Sequence, residues 1–191
     1  MPLNDAAVFL PARMHVFTAP VGTTAPTLAM VKAAPETAPT GWDDLGHTSL
    51  EEDIEFGSDG GDSETKGSRQ VANLREIVEA TVDFLTVHSI QLTNETLTLF
   101  YGGGDASKPG QFDAPAAFGT TEKALLLVFL DGAKRAGLWW PRASARRAGG
   151  IGAAADDFLR YPLRFTKLQL SGQPSERTFA DTVGTTPPAG N

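Results

Sequence analysis

Cysteine is absent from all 191 residues, which excludes a disulfide framework, a cysteine-bound zinc and a thiol nucleophile at once. Histidine is scarce: His15, His47 and His88 stand far apart with no i, i+4 pair, so no metal-ligand spacing arises. Long apolar runs are missing as well. The longest, Ala124 to Leu130, is far too short to span a bilayer, and Met1-Pro2-Leu3-Asn4-Asp5 lacks the basic-then-apolar order of a secretion signal. A soluble chain made in a cytoplasm, with no membrane span, is the expectation. Cations are also in deficit. Lys+Arg 16 against Asp+Glu 23 gives a formal charge of −7 and a pI near 4.9, which argues against a protein that grips nucleic acid through its phosphates.

Catalytic signatures are lacking too. Neither Ser144 nor Ser171 sits in a Gly-x-Ser-x-Gly elbow. Gly102-Gly103-Gly104 has no Gly-Lys-Ser/Thr ending to cradle a phosphate. Asp59-Gly60-Gly61-Asp62-Ser63-Glu64 has turn chemistry but not the oxygen spacing of a calcium loop. The expectation is a protein without cofactor or metal that is not an enzyme.

What is present is turn formers and short alternating runs. With 20 Gly, 13 Pro and 41% hydrophobic residues the composition favours a mainly β fold over long helices. Residues 1–41 read as an extended arm holding a short strand over Ala12 to Phe17. Glu51 to Gly57 alternates, with Ile54 and Phe56 on one face and Asp53 and Glu55 on the other, and Ser58 to Asp62 then predicts a hairpin into Ser63 to Gln70. A further strand carries Val78, Ala80, Val82 and Phe84 opposite Ile77, Glu79, Thr81 and Asp83. One helix is predicted over about 89–101, capped by Ser89 and stopped at Gly102, followed by a long loop over 104–121 with a brief strand near Phe112. Ala124 to Leu130 reads as a central strand, turned at Asp131-Gly132 into Lys134 to Ala143, and a last strand runs from about Asp157 to Leu170. The main β domain therefore covers 42–170, and 171–191 is a polar tail that Phe179 and Val183 are placed to anchor on a neighbour.

Four stretches in order, Pro39-Thr40-Gly41-Trp42-Asp43-Asp44-Leu45-Gly46-His47-Thr48, Gly57 to Glu64, Leu99-Phe100-Tyr101-Gly102-Gly103 and Tyr161-Pro162-Leu163-Arg164-Phe165-Thr166, carry a resemblance. The chain resembles the major tail tube proteins of long-tailed, non-contractile bacteriophages, especially those of actinobacterial hosts. The resemblance implies a tail-tube-type β-sandwich or half-barrel flanked by one α-helix, six copies of which form a ring whose inner strands join into a barrel. Rings then stack into a tube in the virion tail. The implied partners are the chain itself, a tape measure protein, tail terminator and tip proteins, and DNA in transient, non-specific passage. A β-sandwich binding or decoration module of a phage particle is the alternative with the same sheet pattern.

If a sheet lines a lumen, acidic outward residues repel passing phosphates, and Asp53, Glu55, Glu64, Glu79 and Asp83 fit that role. For any one of them an ordinary solvated sheet face is an equal reading. The basic cluster of Lys134, Arg135, Arg142, Arg146 and Arg147 surrounds Trp139 and Trp140. Base stacking on the tryptophans is one reading. The preferred reading has the tryptophans filling a core or interface while Arg142, Arg146 and Arg147 make contacts between subunits or rings.

Overall fold

The computed structural model describes residues 4–52 and 54–184. After a 3-10 turn at Asp5–Ala7, the elements are β1 (Arg13–Ala19), α1 (Leu28–Ala33), β2 (Asp43–Asp44), β3 (Glu55–Asp59), β4 (Ser63–Lys66), β5 (Arg75–Val78), β6 (Val82–Ser89), α2 (Asn94–Tyr101), β7 (Thr121–Asp131), β8 (Lys134–Arg147), β9 (Tyr161–Lys167) and β10 (Arg177–Phe179). The mainly β class is as expected, with α1 as a second short helix.

The centre of the sheet follows from the most apolar run. Ala124 to Val128 are all buried, which only a strand covered on both faces achieves, and β7 lies between β1 and β8. The Gly132 φ of 56° lets a two-residue turn close Asp131 onto Lys134. The main sheet runs β2-β1-β7-β8-β9-β6-β3, all antiparallel, with β10 added to β8 where β9 does not reach. It curls on itself: the Phe56 ring of β3 lies 6.4 Å from the Phe129 ring of β7, although β8, β9 and β6 intervene in the sheet. The result is the half-barrel the resemblance implies.

Two apolar clusters use the two faces. Inside the curl, Val16, Leu85, Val87, Leu125, Leu127, Trp140, Leu163 and Phe165 pack with Leu99 and Phe100 of α2. Outside β1-β7-β8, Phe17, Val31, Trp42, Leu126, Val128 and Trp139 form the second cluster under α1. Pairing steps from Lys123↔Ala143 to Leu125↔Trp140, so β8 spends one extra residue at Pro141-Arg142. That bulge keeps Trp140 and Ala143 both on the inner cluster, and it falls where a proline, which cannot donate to a ladder, is tolerated.

Three local expectations are corrected. The helix starts at Asn94, because the Thr93 side chain accepts from Thr96 N, while Ser89 remains in β6 opposite Tyr161. Ser58 to Asp62 does not fold β3 onto the next segment: β3 pairs with β6, a long-range partner, and β4 pairs with β5. The strand expected through 77–84 breaks between Val78 and Val82, and the core takes the opposite parity, Leu85 and Val87 being buried while Val82 stays exposed. Burial against the curl selects the parity; alternation alone marks two faces without ranking them. The brief strand near Phe112 is a single bridge, Asp105↔Asp113.

Candidate assembly surfaces

Among the described residues, no helix or strand lies over the outer face of β3-β6-β9 and the end of β8. Register puts Glu55, Thr86, Arg164 and Arg146 in one row across this face. They line a shallow hollow of about 530 Å³ together with Phe84 and His88. Arg164 lies with its guanidinium 3.5 Å above the Phe84 ring and forms an ion pair with Asp59. The face thus mixes acids, guanidiniums and hydroxyls. Its outer strand β3 has no partner on its far edge among the described residues, and at the other end of the sheet β2 meets β1 at only Phe17↔Asp44 and Thr18↔Asp43. Both are open edges of the kind soluble proteins normally cover.

From the Asp59/Val82 end of this face, β4 and β5 project as a two-stranded ribbon, every residue of which is exposed. A ribbon of two strands is marginal in water. Nevertheless it carries Val71, Leu74, Ile77 and Val78, exposed by 48%, 63%, 45% and 61%, a concentration of apolar surface unusual for a free monomer. At the opposite end of β6-β9, beyond Ser89↔Tyr161, Leu50, Ile151, Phe158 and Leu159 are also exposed. Arg160 organises that end by pairing with Glu52 at 2.8 Å and Asp157 at 3.1 Å.

The acids singled out from the sequence do not form one wall within a subunit. Asp53 lies outside the described residues. Glu55 is on the bare sheet face. Glu64 belongs to the ribbon, 3.3 Å from Lys66, and Glu79 follows β5 with its N–H donating to Asp62 O at 3.0 Å. Asp83 alternates with Leu85 and so faces the mouth of the core, the side opposite Glu55. Among the basic cluster, Arg142 makes a bidentate pair with Glu122 of its own chain at 2.7 and 2.9 Å. Arg147 sits 4.2 Å over the Phe118 ring, and Arg146 is exposed in the hollow. Trp139 and Trp140 are 1% and 2% exposed, too buried to stack on bases. Phe179 packs on the outer cluster of its own chain. Reading the sequence missed Arg164 and the apolar ribbon; four apolar residues inside an otherwise polar stretch, Val71 to Val78, were the available signal for the latter.

Asp83 takes part in a clasp. Lys167 Nζ bonds Asp83 and, at 3.3 Å, Glu176; Ser58 Oγ donates to Asp83 at 2.6 Å and Trp140 Nε1 to Glu176 at 3.0 Å. The hydrogen bond from Lys167, then that from Ser58, holds the Asp83 carboxyl below its ordinary range. Burial pulls Lys167 down, but its bonds to Asp83 and Glu176 outweigh this and raise it. The lowered Asp83 value makes its contribution to stability complete above the ordinary carboxylate range and lost as pH falls through the folded-state value. Asp83→Asn is therefore expected to lower the denaturant midpoint near neutral pH by an amount worth less than about 1 kcal/mol, as for a half-exposed pair. The gap to wild type should close on acidification; a gap independent of pH would contradict the assignment.

The subunit thus combines a curled sheet with two open edges, a ribbon of exposed apolar residues and a buried aromatic core. The phage tail tube protein family matches residues 1–188, and the chain belongs to that family. It is a structural component of the virion tail, not an enzyme. It is 41% identical over 175 residues to the major tail protein Gp23 of Mycobacterium phage L5, covering 88% of each chain, and equally similar to the Gp23 of Mycobacterium phage D29.

Proposed function

We propose that six copies of this chain close into a ring and that rings stack into the tail tube, with the bare face of β3-β6-β9 turned to the lumen. The observation that carries this reading is the pairing of an open β3 edge with an uncovered polar sheet face in a tail tube protein. Joining β3 of one copy to the β1-β2 edge of the next satisfies both rows of free backbone groups, and closure leaves no edge.

The ribbon then reaches the adjacent ring. It leaves one end of β6-β9 while Leu50, Ile151, Phe158 and Leu159 stand at the other, so ribbon on patch is a heterologous contact that repeats along an axis without closing. In this arrangement Glu55 and Asp59 supply acid to the lumen wall, and Glu64 and Glu79 fall at ring junctions. Arg164 is neutralised by Asp59 and Arg146 offsets Glu55, so the wall is mixed and close to neutral. Such a wall lets DNA pass without a lasting grip. The tape measure protein and the tail terminator and tip proteins are the partners proposed for the lumen and the two tube ends.

Electron cryo-microscopy of the purified protein after concentration tests the reading. Sixfold rings with Glu55 and Asp59 facing inward are expected. A protein that stays monomeric, or tubes with α2 facing the lumen, would overturn it.

A further inference from the structure

We infer that in the assembled tube the Arg177–Asp181 segment leaves its own chain and occupies the same slot on a neighbouring copy; this rests on the self-assembly just proposed. The slot is specific. β8 changes partner along one edge, pairing with β9 over Ala143–Arg147 and with β10 over Gly137–Trp139, so without β10 the backbone beside Trp139 is an uncovered edge next to the outer cluster. Gly137 makes room beside the slot for Val31 of α1, whose side chain a Cβ would meet at 2.9 Å, while Phe179 would stand at an ordinary contact distance of 3.4 Å.

The occupant is weakly owned by the chain that supplies it. β10 contributes three residues, two of them exposed; of the ion pairs flanking it, Lys32–Asp181 at 3.0 Å lies at the surface, while Lys167–Glu176 at 3.3 Å is partly buried on its lysine side. Exposed pairs of this kind add about 0–1 kcal/mol each. The connection from Lys167 to Arg177 is nine residues, 168–176, with exposed residues throughout 171–176 and Gly172 at φ 77°. Extended, it reaches roughly 30 Å, enough to cross to an adjacent copy.

Exchange conserves every contact of the slot, because the incoming segment is identical to the outgoing one. Loss on leaving is matched by gain on arrival, while the linker converts a weak three-residue ladder into a covalent tie between copies. At the high local concentration inside a tube that tie strengthens the assembly without any new interface. In the free chain the same segment covers the β8 edge and keeps it from pairing with other copies.

The test uses the wild-type chain. Equal amounts of unlabelled and ¹⁵N-labelled protein are mixed before assembly, the tubes are treated with a zero-length carbodiimide, and Lys32–Asp181 cross-linked peptides are read by mass spectrometry. Exchange predicts that about half of these peptides pair a heavy with a light partner, as random mixing of swapped arms requires. Only heavy–heavy and light–light pairs, or loss of the cross-link on assembly, would overturn the inference. Failure of the wild-type chain to form tubes would instead count against the assembly reading itself. A second measurement uses Leu138→Cys with Thr178→Cys, opposite one another in the ladder of a chain with no other cysteine. Oxidised tubes should run as a ladder of multimers on a non-reducing gel, and monomer bands alone would overturn exchange.

Discussion

Removing the ribbon should abolish tubes and leave the subunit folded. Asp59 and Val82 are register partners at the end of β3 and β6, so replacing residues 60–81 by Asn-Gly closes them with a two-residue hairpin of the favoured kind. Little folding energy is lost, since β4 and β5 pair with each other and expose every residue. The change in unfolding free energy is expected to stay within about 1 kcal/mol, because a two-stranded ribbon on its own is marginal. Assembly is different. Burying Val71, Leu74, Ile77 and Val78 at a ring junction is worth roughly 1.5–3 kcal/mol for each side chain fully covered. With six junctions in the proposed ring, loss of that contact should prevent stacking at any practical concentration. Circular dichroism with a thermal melt reports the fold, and electron microscopy with sedimentation reports assembly. Tubes of normal length from the shortened chain would refute a stacking role, and a chain that no longer folds would place the ribbon in the fold.

The parts of the fold legible in the sequence are those whose signal is both local and strong. Ala124 to Leu130 and the Asp131-Gly132 turn specify a buried hairpin without help from elsewhere, and the last strand expected over about 157–170 forms over Tyr161–Lys167, with Tyr161, Leu163 and Phe165 buried on one face and Leu159 left outside it. Long-range competition explains what was not legible. A turn at Gly60-Gly61 suits a local hairpin, yet β3 gains more from β6, which is already held by β9 and the inner cluster. Alternation through 77–84 likewise has no way to announce a break, because Ile77, Glu79 and Asp83 keep period 2 across it. Ser89 is a good helix cap by type but is taken by the ladder to Tyr161, and Thr93 caps in its place.

The placement of the acids was the least legible feature for the same reason. Which of Glu55, Glu64, Glu79 and Asp83 share a surface depends on the strand break and on the pairing partner, neither of which a single strand's pattern contains. The structure instead separates a bare face bearing Glu55 and Asp59 from a clasp built on Asp83.

Trp140→Ala should cost the isolated subunit about 3–5 kcal/mol, the range for deleting a large buried aromatic. The residue is 2% exposed, fills the inner cluster from the bulge, and donates Nε1–H to Glu176. Truncation opens a cavity between β8 and the curl and leaves one arm of the clasp without its donor. Against a typical total of about 5–15 kcal/mol, that loss takes a substantial fraction of the free subunit's stability. Tubes should suffer less, because association draws on the folded form and restores stability by mass action. The expected result is a denaturant midpoint lowered strongly in dilute monomer and much less in preformed tubes. Trp139→Ala serves as the comparison, since Trp139 packs in the outer cluster and meets the C-terminal segment through backbone pairing and the Arg177 guanidinium 5.3 Å from its ring, not through the clasp. Glu176→Gln separates packing from hydrogen bonding: it keeps an acceptor for Nε1, removes the charge that Lys167 meets, and should cost no more than about 1 kcal/mol as an exposed pair does. If Trp140→Ala were as mild as Glu176→Gln, the inner cluster would not depend on the bulge that places Trp140 in it.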